Sequence, residues 1–142
     1  MSQSHHWVLF ALASAAFAAA TAIFGKLGVT ALNANLATLI RTIIILGMIA
    51  IVVTARGEWQ GLEGLKPYTV AMLVLSALAT GASWLCYYQA LKWGPASRVA
   101  PIDKLSVVLV ICASVLFLKE PLTWKVALGG GLVAAGAIIL AL

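Results

Sequence analysis

The chain has 142 residues, 63% of them hydrophobic and only 9% charged, with nine Lys or Arg against four Asp or Glu. A soluble domain is about a quarter charged and under half apolar, so neither a soluble globular fold nor an intrinsically disordered chain fits this composition. The net charge of +5 comes from scattered basic residues with no interleaved aromatics, which argues against a nucleic-acid interface.

What fits is an all-α membrane protein. An apolar run of about 20 residues crosses the hydrocarbon of a bilayer as one helix, and five such runs are found in chain order. Met1 to His6 carries no Lys or Arg, and the apolar run beginning at Trp7 is too long for the core of a signal peptide. The first span is therefore expected over residues 7–31 and is retained. His5 and His6 stand together with no Cys or carboxylate near them in sequence, so no metal site and no cofactor are expected. The second span, residues 33–54, opens at Asn33 and Asn35 and contains LATLIRTIIILGMIAIVV. Residues 55–67 read ARGEWQGLEGLKP and form the long connection, a surface loop in which Trp59 could also sit at headgroup level. The third span covers 68–91, the fourth 95–118 after Trp93-Gly94-Pro95, and the fifth 122–142 after Lys119-Glu120-Pro121. The whole of 1–142 is expected to be one transmembrane domain. Cys86 and Cys112 lie inside apolar runs and are expected to be free thiols.

Five spans put the termini on opposite faces. The N-terminal face receives Arg56, Lys66, Lys119 and Lys125, and the other face receives Lys92 and Arg98. This bias favours a cytoplasmic N-terminus and is small enough to leave insertion in both directions open.

Ionisable residues inside spans are rare and costly, and so mark candidate sites. Lys26 falls near the end of the first span, Arg41 early in the second, and Asp103 and Lys104 early in the fourth. At 1.5 Å per residue all four lie roughly 7 to 13 Å below the face opposite the N-terminus. The third span ends at that face with Trp84, Tyr87, Tyr88 and Gln89, and its Ser76, Thr80, Ser83 and Tyr87 recur at helical spacing. A substrate site is expected there, lined by Lys26, Arg41, Ser76, Thr80, Trp84, Tyr87 and Tyr88, with Asp103 and Lys104 at its edge. Two readings stay open. Three cations against one carboxylate favour a solute with an anionic or strongly polar group. Alternatively, Arg41 and Asp103 pair as a packing bridge while the lysines reach the headgroups, leaving an aromatic pocket suited to cations.

Pro101 precedes Asp103 and Lys104 and is expected to kink the fourth helix, freeing backbone beside charged side chains. In the fifth span Ala127, Gly131 and Ala135 repeat every four residues, and Gly129 and Gly136 lie seven apart. Small residues at such spacings let helices approach closely in lipid, so this face is expected to make a helix contact within or between chains.

The stretch from Tyr87 onward, YYQALKWGPASRVAPIDKLSVVLVICASVLFLKEPLTWKVALGGGLVAAGAIILAL, resembles the C-terminal part of an EamA domain, the repeat unit of the drug/metabolite transporter superfamily. Pro95-Ala96-Ser97, Val99-Ala100-Pro101-Ile102, Leu118-Lys119-Glu120-Pro121 and the Gly-rich last helix carry the resemblance, with Phe24-Gly25-Lys26 and Arg41 upstream. Most members carry two such repeats; this chain is similar to the single-repeat, five-span members. The resemblance implies inverted pseudo-symmetry between repeats, a central substrate cavity, and pairing with a second copy, so a homodimer, antiparallel or parallel, is expected. The related small multidrug resistance proteins couple protons through a Glu in their first helix. Here residues 7–29 contain no acid, so that mechanism does not carry over.

Three functions follow as expectations. The first is transport of a small polar solute, metabolite or drug in the cell inner membrane, as a dimer working by alternating access. The second is a subunit of a lipid-linked sugar flippase, and the third a non-transporting membrane scaffold. No enzyme is expected, since no Ser-His, Cys-His or paired-carboxylate arrangement stands out and the one intramembrane acid, Asp103, neighbours Lys104.

Overall fold

The computed structural model describes residues 6–62 and 64–142; His5 and Glu63 lie outside the described residues. It is helical throughout: α1 (His6–Ala31), α2 (Ala34–Ala55), a 3₁₀ turn (Glu58–Leu62), α3 (Pro67–Trp93), α4 (Ala96–Asp103), α5 (Leu105–Phe117) and α6 (Trp124–Ala141). Five segments are long and apolar enough to cross a membrane: α1, α2, α3, the α4–α5 pair and α6. Most of their large apolar side chains point outward. That pattern would be an aggregation hazard in water and is what lipid-facing helices require.

The sequence sets the helix ends. Asn33 stands before α2 in extended conformation and its side chain accepts from the Asn35 N–H; Thr123 does the same for α6, accepting from Val126. These oxygens satisfy N–H groups that the first turn of a helix leaves without partners. Pro95 precedes α4 in extended conformation, where its missing N–H costs α4 no hydrogen bond. After α5 the chain turns through Lys119, which has a φ of 55°, and the Leu118 and Glu120 N–H groups both donate to the Ser114 carbonyl. The connection after α2 is more ordered than a plain loop: Arg56 and Glu58 form an ion pair of 2.8 Å and Trp59 Nε1 donates to Thr54 Oγ1.

The chain divides into two compact units. One comprises α1 up to Phe24 with Trp93–Leu142, the other Gly25–Lys92. In the second unit the buried residues are Gly25, Val29, Ala34, Ala37, Thr38, Tyr88 and Leu91. They gather where α1 ends, α2 begins and α3 ends. Ala34, Ala37, Thr38, Arg41 and Ile45 turn inward at helical spacing, and the small residues among them let the start of α2 come close.

In the first unit α6 packs against α4 and α5. Gly130 and Ala137 are its buried positions, and Gly130 faces Ile111 so closely that a Cβ there would sit 2.9 Å from Ile111 Cδ1. The fourth span is interrupted at Lys104 rather than at Pro101. Lys104 bonds three residues back, to the Pro101 carbonyl, and α5 starts afresh at Leu105. Pro101 is the sixth of the eight residues of α4, and the N–H it lacks would have met Ser97; α4 ends two residues after it, and Lys104 follows as a tight turn.

Candidate functional site

The second unit builds one polar centre, and its pivot is Tyr88. The ring is 2% exposed, packed against the backbone of α1 at Gly25. A Cβ added at Gly25 would lie 2.7 Å from Tyr88 Oη, so the absence of a side chain there makes the seat for the phenol. Tyr87 meets Tyr88 edge to face, with centroids 6.0 Å apart.

Arg41 reaches this centre from α2. Its guanidinium carbon is 4.5 Å from the Tyr88 ring centroid and 5.1 Å from that of Trp84. Trp84 and Tyr88 are four residues apart on α3 and so share a face, which lets one guanidinium stack on both rings. Such contacts are worth about 2 kcal/mol each when desolvated. The hydrogen-bonding capacity is not used up: Arg41 Nη1 and Tyr88 Oη are both buried and have no hydrogen-bond partner. Neighbouring threonines add nothing, because Thr38 and Thr42 bond the carbonyls one turn back on α2.

Lys26 stands beside this centre. Its Nζ donates to the Leu91 carbonyl at 2.6 Å. Leu91 is in the last turn of α3, and the residue four further on is Pro95, which has no N–H to offer. A reciprocal bond runs from Lys92 Nζ, in the last turn of α3, to the Leu32 carbonyl just past α1, at 3.2 Å. Each helix end thus receives a cation from the other, as the partial negative charge of helix C-termini favours.

Of the residues expected at the site, Lys26, Arg41, Trp84, Tyr87 and Tyr88 come together. Ser76 and Thr80 do not join them. Both are exposed on α3, one to two turns before Trp84, and the Thr80 hydroxyl is spent on the Ser76 carbonyl. Asp103 and Lys104 belong to the other unit, where they form their own pair at 3.4 Å across the α4–α5 interruption. Inside its own unit Arg41 lies over two rings, and inside the other Asp103 pairs with Lys104. On α6, Ala127, Gly129, Gly131 and Ala135 face outward and Gly136 is half-buried. Cys86 and Cys112 are exposed free thiols. Sequence reasoning missed Gly25 as the seat of Tyr88 and the Leu91 carbonyl as the partner of Lys26; Pro95, four residues after Leu91, was the available signal for the second.

Residues 5–142 match the model of the EamA-like transporter family. An uncharacterized transporter in the cobO 3' region of a Sinorhizobium species is 55% identical over 141 residues, 99% of each chain. The probable 4-amino-4-deoxy-L-arabinose-phosphoundecaprenol flippase subunit ArnF of Erwinia tasmaniensis is 37% identical over 76 residues, 52% of this chain and 60% of that one. No solved structure matches the chain.

Proposed function

The chain belongs to the EamA-like transporter family, and on that premise we propose that it carries a small polar solute across the cell inner membrane. The solute-binding centre is Arg41 with Trp84, Tyr87 and Tyr88, and Lys26 beside it. Arg41 carries this reading. It is an ionisable group within a membrane-crossing helix, lying over two rings, with a buried N–H group left over. A charge at such a depth is costly, and a packing position there would be filled more cheaply by an aliphatic side chain.

The working form is a homodimer, and the substrate path opens alternately to the two sides. Support comes from α6, whose Gly130 and Ala137 are used inside the unit while Ala127, Gly129, Gly131 and Ala135 remain outward, with no atom within 4 Å of a Cβ built at Gly129 or Gly131. Small outward residues at that spacing suit a second helix in lipid. The relatives are named as transporters or a flippase subunit, and the protein is read as a transporter rather than an enzyme.

A second reading has one observation behind it. The likeness to ArnF, whose name specifies a lipid-linked sugar phosphate, fits a flippase subunit for a substrate of that kind. Purified protein in proteoliposomes, offered a panel of anionic, zwitterionic and cationic solutes with and without a pH gradient, tests the first reading. Saturable uptake of at least one water-soluble solute is expected. Uptake of none, with translocation of a lipid-linked sugar phosphate instead, would move the assignment to the second.

A further inference from the structure

The Gly25–Lys92 unit is rich in cations at one end, and its parts of α1, α2 and α3 contain no acid. Lys26, Arg41 and Lys92 lie in its helices, and its two acids, Glu58 and Glu63, fall in the connection after α2. The ammonium groups are engaged with backbone, Lys26 on the Leu91 carbonyl and Lys92 on the Leu32 carbonyl. Arg41 differs. Its π-face is occupied by two rings, yet Nη1 is buried and makes no hydrogen bond. The ring under it, Tyr88, is 2% exposed and carries a second buried donor without a partner.

Two unspent donors on stacked groups, one of them cationic, select for an acceptor that bears negative charge. The same geometry selects against an organic cation. The aromatic faces that would hold a cation at Trp84 and Tyr88 already hold the guanidinium, and a second positive charge there would be repelled. We propose that this centre recognises an oxoanion, a carboxylate, sulfonate or phosphate group, with one or two of its oxygens taking the Arg41 Nη1–H and the Tyr88 O–H. Trp84 and Tyr87 flank it and would accommodate an apolar or aromatic body attached to that group. The proposal rests on the reading of this centre as the solute site and names the chemical class that the site accepts.

Equilibrium binding tests it without requiring transport. The full chain in nanodiscs of phosphatidylcholine alone is titrated by calorimetry with benzoate, with inorganic phosphate, and with benzyltrimethylammonium, which shares the aromatic body of benzoate and inverts its charge. Benzoate or phosphate is expected to bind, and benzyltrimethylammonium is not. Arg41→Gln is expected to weaken the anion by about tenfold or more, the scale of a lost charge-assisted hydrogen bond. Tyr88→Phe keeps the ring against Gly25 and loses only Oη, so it should fold as the parent does and still weaken the anion several-fold. Nanodiscs containing phosphatidylglycerol identify the source of the oxoanion. Competition by that lipid, with Arg41→Gln insensitive to it, makes the ligand a headgroup; no competition makes it a soluble solute; both outcomes uphold the oxoanion class. Binding of benzyltrimethylammonium in preference to benzoate overturns the proposal while leaving a solute site at this centre. Anion binding equally strong in Arg41→Gln and Tyr88→Phe, with both variants monodisperse, overturns it as well. Anion binding by a protein that transports nothing would uphold the ligand class and defeat the transport reading instead.

Discussion

The guanidinium carbon of Arg41 lies 4.5 Å from the centre of the Tyr88 ring, and neither Arg41 Nη1 nor Tyr88 Oη has a hydrogen-bond partner. The stacking fixes where the charge sits, and the unspent donors leave it available. Stability and function should therefore separate at Tyr88. A buried hydroxyl without a partner costs about 1–3 kcal/mol relative to an apolar replacement of the same shape. Tyr88→Phe is expected to be as stable as the parent or more stable by about 1 kcal/mol, read as a raised melting temperature in detergent, while solute transport falls several-fold. A clear loss of stability would mean that Oη has a structural partner.

Gly25 is expected to be intolerant of even one methyl group. A Cβ there would stand 2.7 Å from Tyr88 Oη, 3.1 Å from its Cζ and 3.3 Å from its Cε1. Because the ring is almost fully buried, it has little room to yield, and overpacking of this kind costs about 1–3 kcal/mol. Gly25→Ala should lower stability and transport together. Adding Tyr88→Phe removes the closest of the three contacts, so the double variant should regain part of the loss in stability. Strictly additive effects in that cycle would show that the two residues do not press on one another.

The two lysine caps should be unequal. Lys26 holds the Leu91 carbonyl at 2.6 Å in partly buried surroundings, whereas Lys92 holds the Leu32 carbonyl at 3.2 Å in an exposed place. Lys26→Met strands a carbonyl that Pro95 cannot serve and is expected to cost about 1–3 kcal/mol. Lys92→Met should cost under about 1 kcal/mol, because water or headgroups replace it. Thermal unfolding of both variants in the same detergent makes the comparison, and equal losses would count against the capping account of Lys26.

On α6 the two neighbouring glycines should behave differently. Gly131 faces outward with open space around it, while Gly130 faces Ile111. Gly131→Leu is expected to leave the chain folded and weaken self-association in liposomes by about 1 kcal/mol or more, measured by energy transfer between labelled copies. Undiminished transfer would place the dimer contact on another helix.

The five spans were legible because composition and run length suffice for them: each apolar run between Asn33, the 55–67 connection, Trp93-Gly94-Pro95 and Lys119-Glu120-Pro121 became a crossing segment. Depth was legible too, since 1.5 Å per residue puts Lys26, Arg41 and Tyr88 at one level. Azimuth was less so. Ser76 and Thr80 share a stripe with Ser83 and Tyr87 in the sequence, yet stay outside the Arg41 cluster, because the helices close only at the end where Gly25, Ala34 and Ala37 are small. Pairing was harder to read, because an arginine is served by two ring faces as well as by an acid, and an adjacent lysine serves an aspartate. The Lys26 contact is made to a backbone carbonyl, whose trace in the sequence is indirect: Pro95, four residues on from Leu91, has no N–H to offer it.

The most direct test of the central claim is transport by two proteins side by side: the parent chain and Arg41→Gln, reconstituted at equal density and given whichever panel solute the parent takes up. Saturable uptake by the parent, reduced at least about tenfold in Arg41→Gln while that variant stays folded and monodisperse, is the predicted result. Equal uptake by the two would contradict it and remove the binding centre from Arg41 and Tyr88.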